Sequence, residues 1–302
     1  MIYSVSEVNK AVADAPEKIV ERAEKKYDES LLKVCEKIIS DSAETVFLAG
    51  PSASGKTTTA ARLCQDLEEH GKRCITVSLD DFYRVKGDYP LLPNGAPDYE
   101  TVHALDLPLF EKCFKELYSE GKSDFPLFDF QIGTRSDKVR RVDYSSYDVM
   151  IVEGLHALNP LITDLLPEGE SLRIFINIIG GFEDESGNEI LSGWRLRFVR
   201  RLIRDYHHRN SGAANTFRLW DMVVEGEKKY LFPFENNRDI AVNSIHEYEP
   251  CLFAKEASEI LWELPESDSH FEISRDLIER LRLFESLDEN KVPESSLLRE
   301  FL

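Results

Sequence analysis

Gly50-Pro51-Ser52-Ala53-Ser54-Gly55-Lys56-Thr57 follows the spacing G-x-x-x-x-G-K-[ST] in full. Glycines at that spacing let backbone N–H groups turn inward around phosphate oxygens. The apolar run TVFLAG (45–50) predicts a strand leading into the loop, and 55–69 predicts a helix leaving it. The positive end of that helix would then face the phosphates. Lys56 can reach the β- and γ-phosphates of a nucleoside triphosphate, and the Thr57 hydroxyl can ligate Mg²⁺. Gly50, Ser52, Ala53, Ser54, Gly55, Lys56, Thr57 and the neighbouring Thr58 are therefore the candidate triphosphate-binding residues.

Two apolar strands end in acids in the same way. SLDDFYR places Asp80 and Asp81 at the carboxyl end of a strand over 73–80, and YDVMIVEG places Glu153 at the end of another over 147–154. A carboxylate beside a phosphate loop can take a proton from an attacking hydroxyl, or hold a metal ion and its water. Glu153 resembles a Walker-B acid in this respect. Downstream, the stretch 193–209 carries Arg195, Arg197, Arg200, Arg201, Arg204 and Arg209. Arg197, Arg201 and Arg204 share one helical face at i, i+4 and i+7. Guanidinium groups over a transferring phosphoryl group offset the charge of the transition state. The preceding GGFEDESGNEILSG is polar and glycine-containing, which predicts a mobile lid segment.

These groups need a frame that gathers strand ends. Further strands are predicted over 171–179 and 239–244, with helices over 106–119, 213–229, 250–263 and 271–286. Strands alternating with helices imply a parallel sheet covered on both faces, with its site at the carboxyl ends of the strands. The expected fold is α/β: a P-loop NTPase-type parallel sheet flanked by helices, with an Arg-rich helical lid and added N- and C-terminal helices. Ile19, Val20, Ala23, Tyr27, Leu31, Val34, Cys35 and Ile38 recur at three- and four-residue steps, the stripe of a long amphipathic helix. Such a stripe packs on its own domain or on a partner subunit, so a homo-oligomer is an open reading. The expected division is an N-terminal helical extension over 1–43, a phosphate-loop domain over 44–250 and a C-terminal helical segment over 251–302, packed on the phosphate-loop domain.

The 302 residues are 42% hydrophobic and 31% charged, with a formal net charge of −19. An acidic surface repels nucleic acid and anionic membrane, which favours a small-molecule partner. No run of about 18 apolar residues exists to span a bilayer. Five cysteines without a CxxC pair, and an N-terminus without a basic segment followed by an apolar run, fit reduced thiols in a cytoplasmic protein.

Taken together, GPSASGKTT, LDDFYR, YDVMIVEGLHALN and RRLIRDYHHR resemble the uridine kinase and phosphoribulokinase family of P-loop kinases. EGEKKYLFPFENNRDIAVNS and the closing VPESSLLREFL are similar to a bacterial branch of uridine kinase-like nucleoside kinases. The resemblance runs from about residue 45 to 250. It implies an ATP- and Mg²⁺-dependent kinase acting on the 5′-hydroxyl of a uridine- or cytidine-like nucleoside. By position it makes Asp80 the catalytic acid, Glu153 the Mg²⁺-associated acid, and Arg201 and Arg204 the phosphate-clamping lid arginines, with Arg209 a further one. Tyr99-Glu100 match an aromatic–acid pair that holds ribose hydroxyls, with Glu where the family has Asp. Tyr83, Phe128 and Phe130 match aromatics around the base. Gly133 and Leu219 stand where uridine-cytidine kinases carry a base-reading histidine and glutamine. A pocket without such donors rejects analogues weakly. Other acceptors on the same fold, a sugar phosphate or a pantothenate-like alcohol, are the nearest alternative. A nucleotide-binding regulator with little turnover is the alternative of a different class.

Overall fold

The chain opens with a short strand β1 (Ile2–Ser4) and two helices, α1 (Val5–Asp14) and α2 (Pro16–Ser40). Then come β2 (Thr45–Ala49), α3 (Lys56–Glu69), β3 (Cys74–Ser78) and α4 (Leu107–Glu120). A hairpin of β4 (Lys122–Asp129) and β5 (Thr134–Asp143) precedes β6 (Val149–Glu153), the one-turn α5 (Pro160–Thr163) and β7 (Ser171–Asn177). A second hairpin, β8 (Gly181–Glu183) and β9 (Glu189–Ser192), leads into α6 (Gly193–Arg209) and α7 (Ala213–Tyr230). The chain closes with β10 (Ile240–Asn243), α8 (Glu249–Trp262) and α9 (Phe271–Leu281). This computed structural model describes residues 1–302 apart from 86, 130, 131, 167 and 168.

The central sheet has five strands in the order β10-β7-β2-β6-β3, all parallel. Both of its faces are buried, and strand alternation sorts the side chains between them. Val46 and Leu48 of β2 point into one core while Phe47 and Ala49 point into the other. The first core includes α2, α3, α6 and α8; the second is built from α4, Phe125 of the hairpin and the segment after β3. Phenylalanines packed edge to face or tilted fill the second core: Phe82 meets Phe110 and Phe125, and Phe114 meets the same two.

The eight residues of the N-terminal stripe are all buried in the first core, so the stripe packs on its own chain. β1 pairs in parallel with β8 and extends the β8–β9 hairpin to three strands. This corrects the mobile-lid expectation for the GGFEDESGNEILSG stretch. Phe182, Ile190 and Leu191 are buried, and Asp184 caps the turn by accepting from the Ser186 and Asn188 amides. Its polar residues are those of a hairpin turn. A second correction concerns the thiols: Cys64 of α3 and Cys74 of β3 form a disulfide, while Cys35, Cys113 and Cys251 are free and buried. The β4–β5 hairpin was not expected either, because Lys, Arg and Asp on its exposed side hide the strand alternation. Among the described residues no helix is long and apolar enough to cross a membrane.

Candidate active site

The loop between β2 and α3 is shaped by two residues in the left-handed region, Ala53 at φ 60° and Gly55 at φ 87°. Gly50 is required by crowding, since a Cβ there would lie 2.3 Å from the Ile176 carbonyl oxygen. Lys56 opens α3, and its ammonium donates to the Pro51 carbonyl oxygen at 3.1 Å. Thr57 is exposed, and its hydroxyl lies 3.5 Å from the Glu153 carboxylate at the end of β6. That pair, a hydroxyl beside an acid, is a donor set of oxygens suited to a hard divalent cation.

Asp80 and Asp81 sit in a short turn of 3₁₀ helix that continues β3, where the Ser78 hydroxyl accepts from the Asp80 amide. Their side chains divide. Asp81 turns toward the hairpin, accepting from the Phe128 amide at 3.0 Å. The Asp80 carboxylate opens onto the cleft with protein mass around it. That setting raises its pKa above the usual carboxylate range, against the pull of Lys56, Arg209 and Arg204. Burial raises Glu153 to about 7, and the charge of Asp80 adds to the shift. A strand-end acid whose proton affinity is raised, facing a lysine and two arginines, is an arrangement suited to proton transfer.

The Ser192 hydroxyl accepts from the Arg195 amide to start α6, and Asn210 ends the helix in a left-handed turn. The arginines of α6 have different tasks. Arg197 makes a buried two-pronged pair with Glu227 of α7, and Arg200 makes another with Glu249. Both also brace the phosphate loop, Arg197 on the Ser52 carbonyl oxygen and Arg200 on that of Ala53. Arg201 reaches the Ser52 hydroxyl at 2.9 Å. Asp205, 1% exposed, takes ion pairs from Arg201, Arg204 and Arg209 at 3.1, 3.0 and 3.4 Å. One buried carboxylate thus fans three guanidinium groups toward the cleft.

The cleft encloses about 510 Å³. Its walls bring together Ser52, Ala53, Gly55, Lys56, Thr57, Thr58, Asp80, Tyr83, Glu100, Glu153, Arg201, Arg204 and Arg209. Gly50 and Ser54 lie behind this surface, and Ser54 is fully buried with no hydrogen-bond partner for its hydroxyl. Burial raises Glu100 to about 8, with Arg201 pulling the other way. Glu100 packs on Gly226 of α7, where a Cβ would lie 2.2 Å from its own Cβ. Tyr83 packs on Phe128 with ring centroids 5.7 Å apart, and its hydroxyl donates to the Tyr99 carbonyl oxygen. Tyr99 itself lines a neighbouring groove of about 740 Å³ between the 92–100 loop and α7. Phe130 lies outside the described residues. Gly133 turns the hairpin at φ 68° with open space around it, so it supplies a backbone shape and no polar group.

Sequence reasoning missed three acids of the site. Asp205 is inside an arginine-rich helix and reads as one more surface charge. Glu227 is the second: it accepts from the Ser52 amide at 2.8 Å and fixes the loop from behind. The third, Glu300, lies in the last ten residues and also lines the cleft. Glu227 and Glu300 act on partners distant in sequence, so no local pattern marks them. Asp205 has its arginines one and four residues away, and that i, i+4 spacing is the signal that could have found it.

A family model described as the phosphoribulokinase / uridine kinase family matches residues 46–182. A uridine kinase of Lactobacillus helveticus is 25% identical over 210 residues, covering 66% of this chain and 90% of that relative. A uridine kinase of Leuconostoc citreum is 28% identical over 192 residues, covering 61% and 82%. Among solved structures, a possible uridine kinase from Bacillus stearothermophilus superimposes with a TM-score of 0.51 at 16% identity, covering 71% of this chain and 98% of that one. The structural likeness is one of fold.

Proposed function

The chain belongs to the phosphoribulokinase and uridine kinase family of P-loop kinases, and from that premise we propose that it transfers the γ-phosphoryl group of ATP to the 5′-hydroxyl of a nucleoside. The observation that carries this reading is the cleft, where a strand-end acid, Asp80, faces the phosphate loop and the arginine fan. A hydrolase needs only to position water, whereas an acid in the acceptor space suits transfer to an alcohol.

On this reading Asp80 accepts the proton of the acceptor hydroxyl as its oxygen attacks. Lys56, Arg201 and Arg204 neutralise the charge spreading over the phosphoryl oxygens. Thr57 and Glu153, with Asp80 alongside, would hold Mg²⁺; when bound, the ion draws charge from the phosphate oxygens. The donor set of oxygens fits that ion. Glu100, Tyr83 and Arg209 face the acceptor, with Tyr99 and Phe128 supporting from outside the cleft. Residues 44–250 form the kinase unit, and 1–43 and 251–302 brace it. Such an enzyme acts on small molecules in the cytoplasm.

Measuring ADP release across a panel of nucleosides, sugar phosphates and small alcohols tests the reading. Turnover that depends on a nucleoside is expected. Turnover only with a sugar phosphate or another alcohol replaces the acceptor, and ADP release that no acceptor stimulates sinks the kinase assignment in favour of a regulator.

A further inference from the structure

The last ten residues lie across the start of α3. Leu297 is fully buried against Gly55, where an added Cβ would come within 2.5 Å of it. Arg62 of α3 donates to the Ser295 carbonyl oxygen at 2.6 Å. Ser296 donates to the buried Glu24 of α2, which also accepts from the Tyr248 hydroxyl. Phe301 is fully buried under the Arg200 guanidinium, 5.2 Å from its ring. Packing accounts for all of these side chains. It does not account for Glu300, which is partly exposed, lines the cleft beside Lys56 and Thr57, and takes a 2.5 Å hydrogen bond from the Thr58 hydroxyl.

Thr58 belongs to the first turn of α3, where unpaired N–H groups and the helix dipole favour an anion. A phosphate of the donor seeks the same place. With the β- and γ-phosphates drawn to Lys56, a donor phosphate reaching the first turn of α3 would come beside Thr58 and Glu300, which line the same cleft. A carboxylate and a phosphate at one helix end repel each other, and at separations of a few ångströms water screens that repulsion only in part. We propose that Glu300, carried on this C-terminal strap, competes with the donor for the first turn of α3 and thereby sets the affinity for nucleoside triphosphate. The inference rests on the phosphate-loop reading alone and is independent of the acceptor.

The strap is too deeply packed to delete, so the test is the near-isosteric Glu300→Gln. Binding of a non-hydrolysable ATP analogue with Mg²⁺ is measured by calorimetry at low and high salt, for wild type and variant, together with each thermal midpoint. Matching midpoints show that both are folded. The expected result is binding about 3- to 10-fold tighter in the variant at low salt, with the gap narrowing as salt rises. Equal affinities would leave the phosphate-loop reading standing and overturn the strap's role. Weaker binding by the variant would also overturn it, by making Glu300 a favourable contact. Failure of both proteins to bind would overturn the loop reading itself. Loss of acceptor-dependent turnover, with binding intact, would touch only the kinase reading.

Discussion

The two sides of the cleft are built to different standards. On the proposed donor side the loop backbone is held from several directions: Glu227 takes the Ser52 amide, and Arg197 and Arg200 take the Ser52 and Ala53 carbonyl oxygens. Thr59 binds the Gly55 carbonyl oxygen while receiving Tyr27 of α2 at 2.6 Å. On the proposed acceptor side the described residues between 87 and 99 are largely at the surface, with Leu91 68% and Tyr99 42% exposed. A few side-chain ties hold this side, Arg84 on the His103 carbonyl oxygen and Tyr230 on Asp98 among them. The contrast fits a donor whose phosphates demand one geometry and an acceptor site that loops can reshape.

The largest expected effect falls where the two sides meet. Asp80→Asn removes the proposed proton acceptor but keeps the side chain's size. Turnover should fall about 10²–10⁴-fold while the ATP analogue still binds. Near-normal turnover would take the general-base role from Asp80 and erase the division of labour between the walls.

Next comes the rigidity of the donor side. Arg200 and Glu249 are both fully buried and doubly hydrogen-bonded. Glu249→Gln strands the Arg200 charge in the interior, which costs about 3–5 kcal/mol when one partner of a buried pair is lost. Chemical denaturation should show that loss. A change under about 1 kcal/mol would mean that water reaches the pair and that the donor side is softer than its packing implies.

Glu100 tests the acceptor wall through pH. Burial holds its carboxyl at about 8, above the unfolded value, so the protein is stabilised while Glu100 keeps its proton. That stability is fully present below the ordinary carboxylate pKa and is lost as pH rises through about 8. Glu100→Gln lacks the proton to lose. Its thermal midpoint should therefore exceed that of wild type more at pH about 9 than at pH about 5, by roughly 1–3 kcal/mol in stability. A gap that stays constant with pH would show Glu100 to be solvated and the wall open.

How much of this was legible in the sequence follows the same divide. The phosphate loop, Asp80, Glu153 and the arginine helix announce themselves by local spacing, and the five-strand sheet by alternating apolar runs. Glu227 and Glu300 do not, because they act on partners far away along the chain. Asp205 differs: its three arginines lie one and four residues away, but its burial, which makes it serve all three at once, shows only in the folded chain. The β8–β9 hairpin was misjudged for a related reason. Its turn residues are polar, and the strand β1 that stabilises it comes from the far end of the chain.

The smallest expected effect completes the contrast. Leu91 is an apolar side chain on the acceptor loop, 68% exposed. Leu91→Ser should change stability by no more than about 0.5 kcal/mol, as surface substitutions do. Donor binding should be untouched, since among the described residues no hydrogen bond or ion pair links Leu91 to the phosphate loop. The acceptor's KM is the quantity free to move, because Leu92, the next residue, lines the groove shared with Glu100. A shift in KM without a change in stability would place the acceptor's outer half in that groove. A loss of several kcal/mol would instead show that the loop is part of the core scaffold, and the two walls would no longer differ in kind.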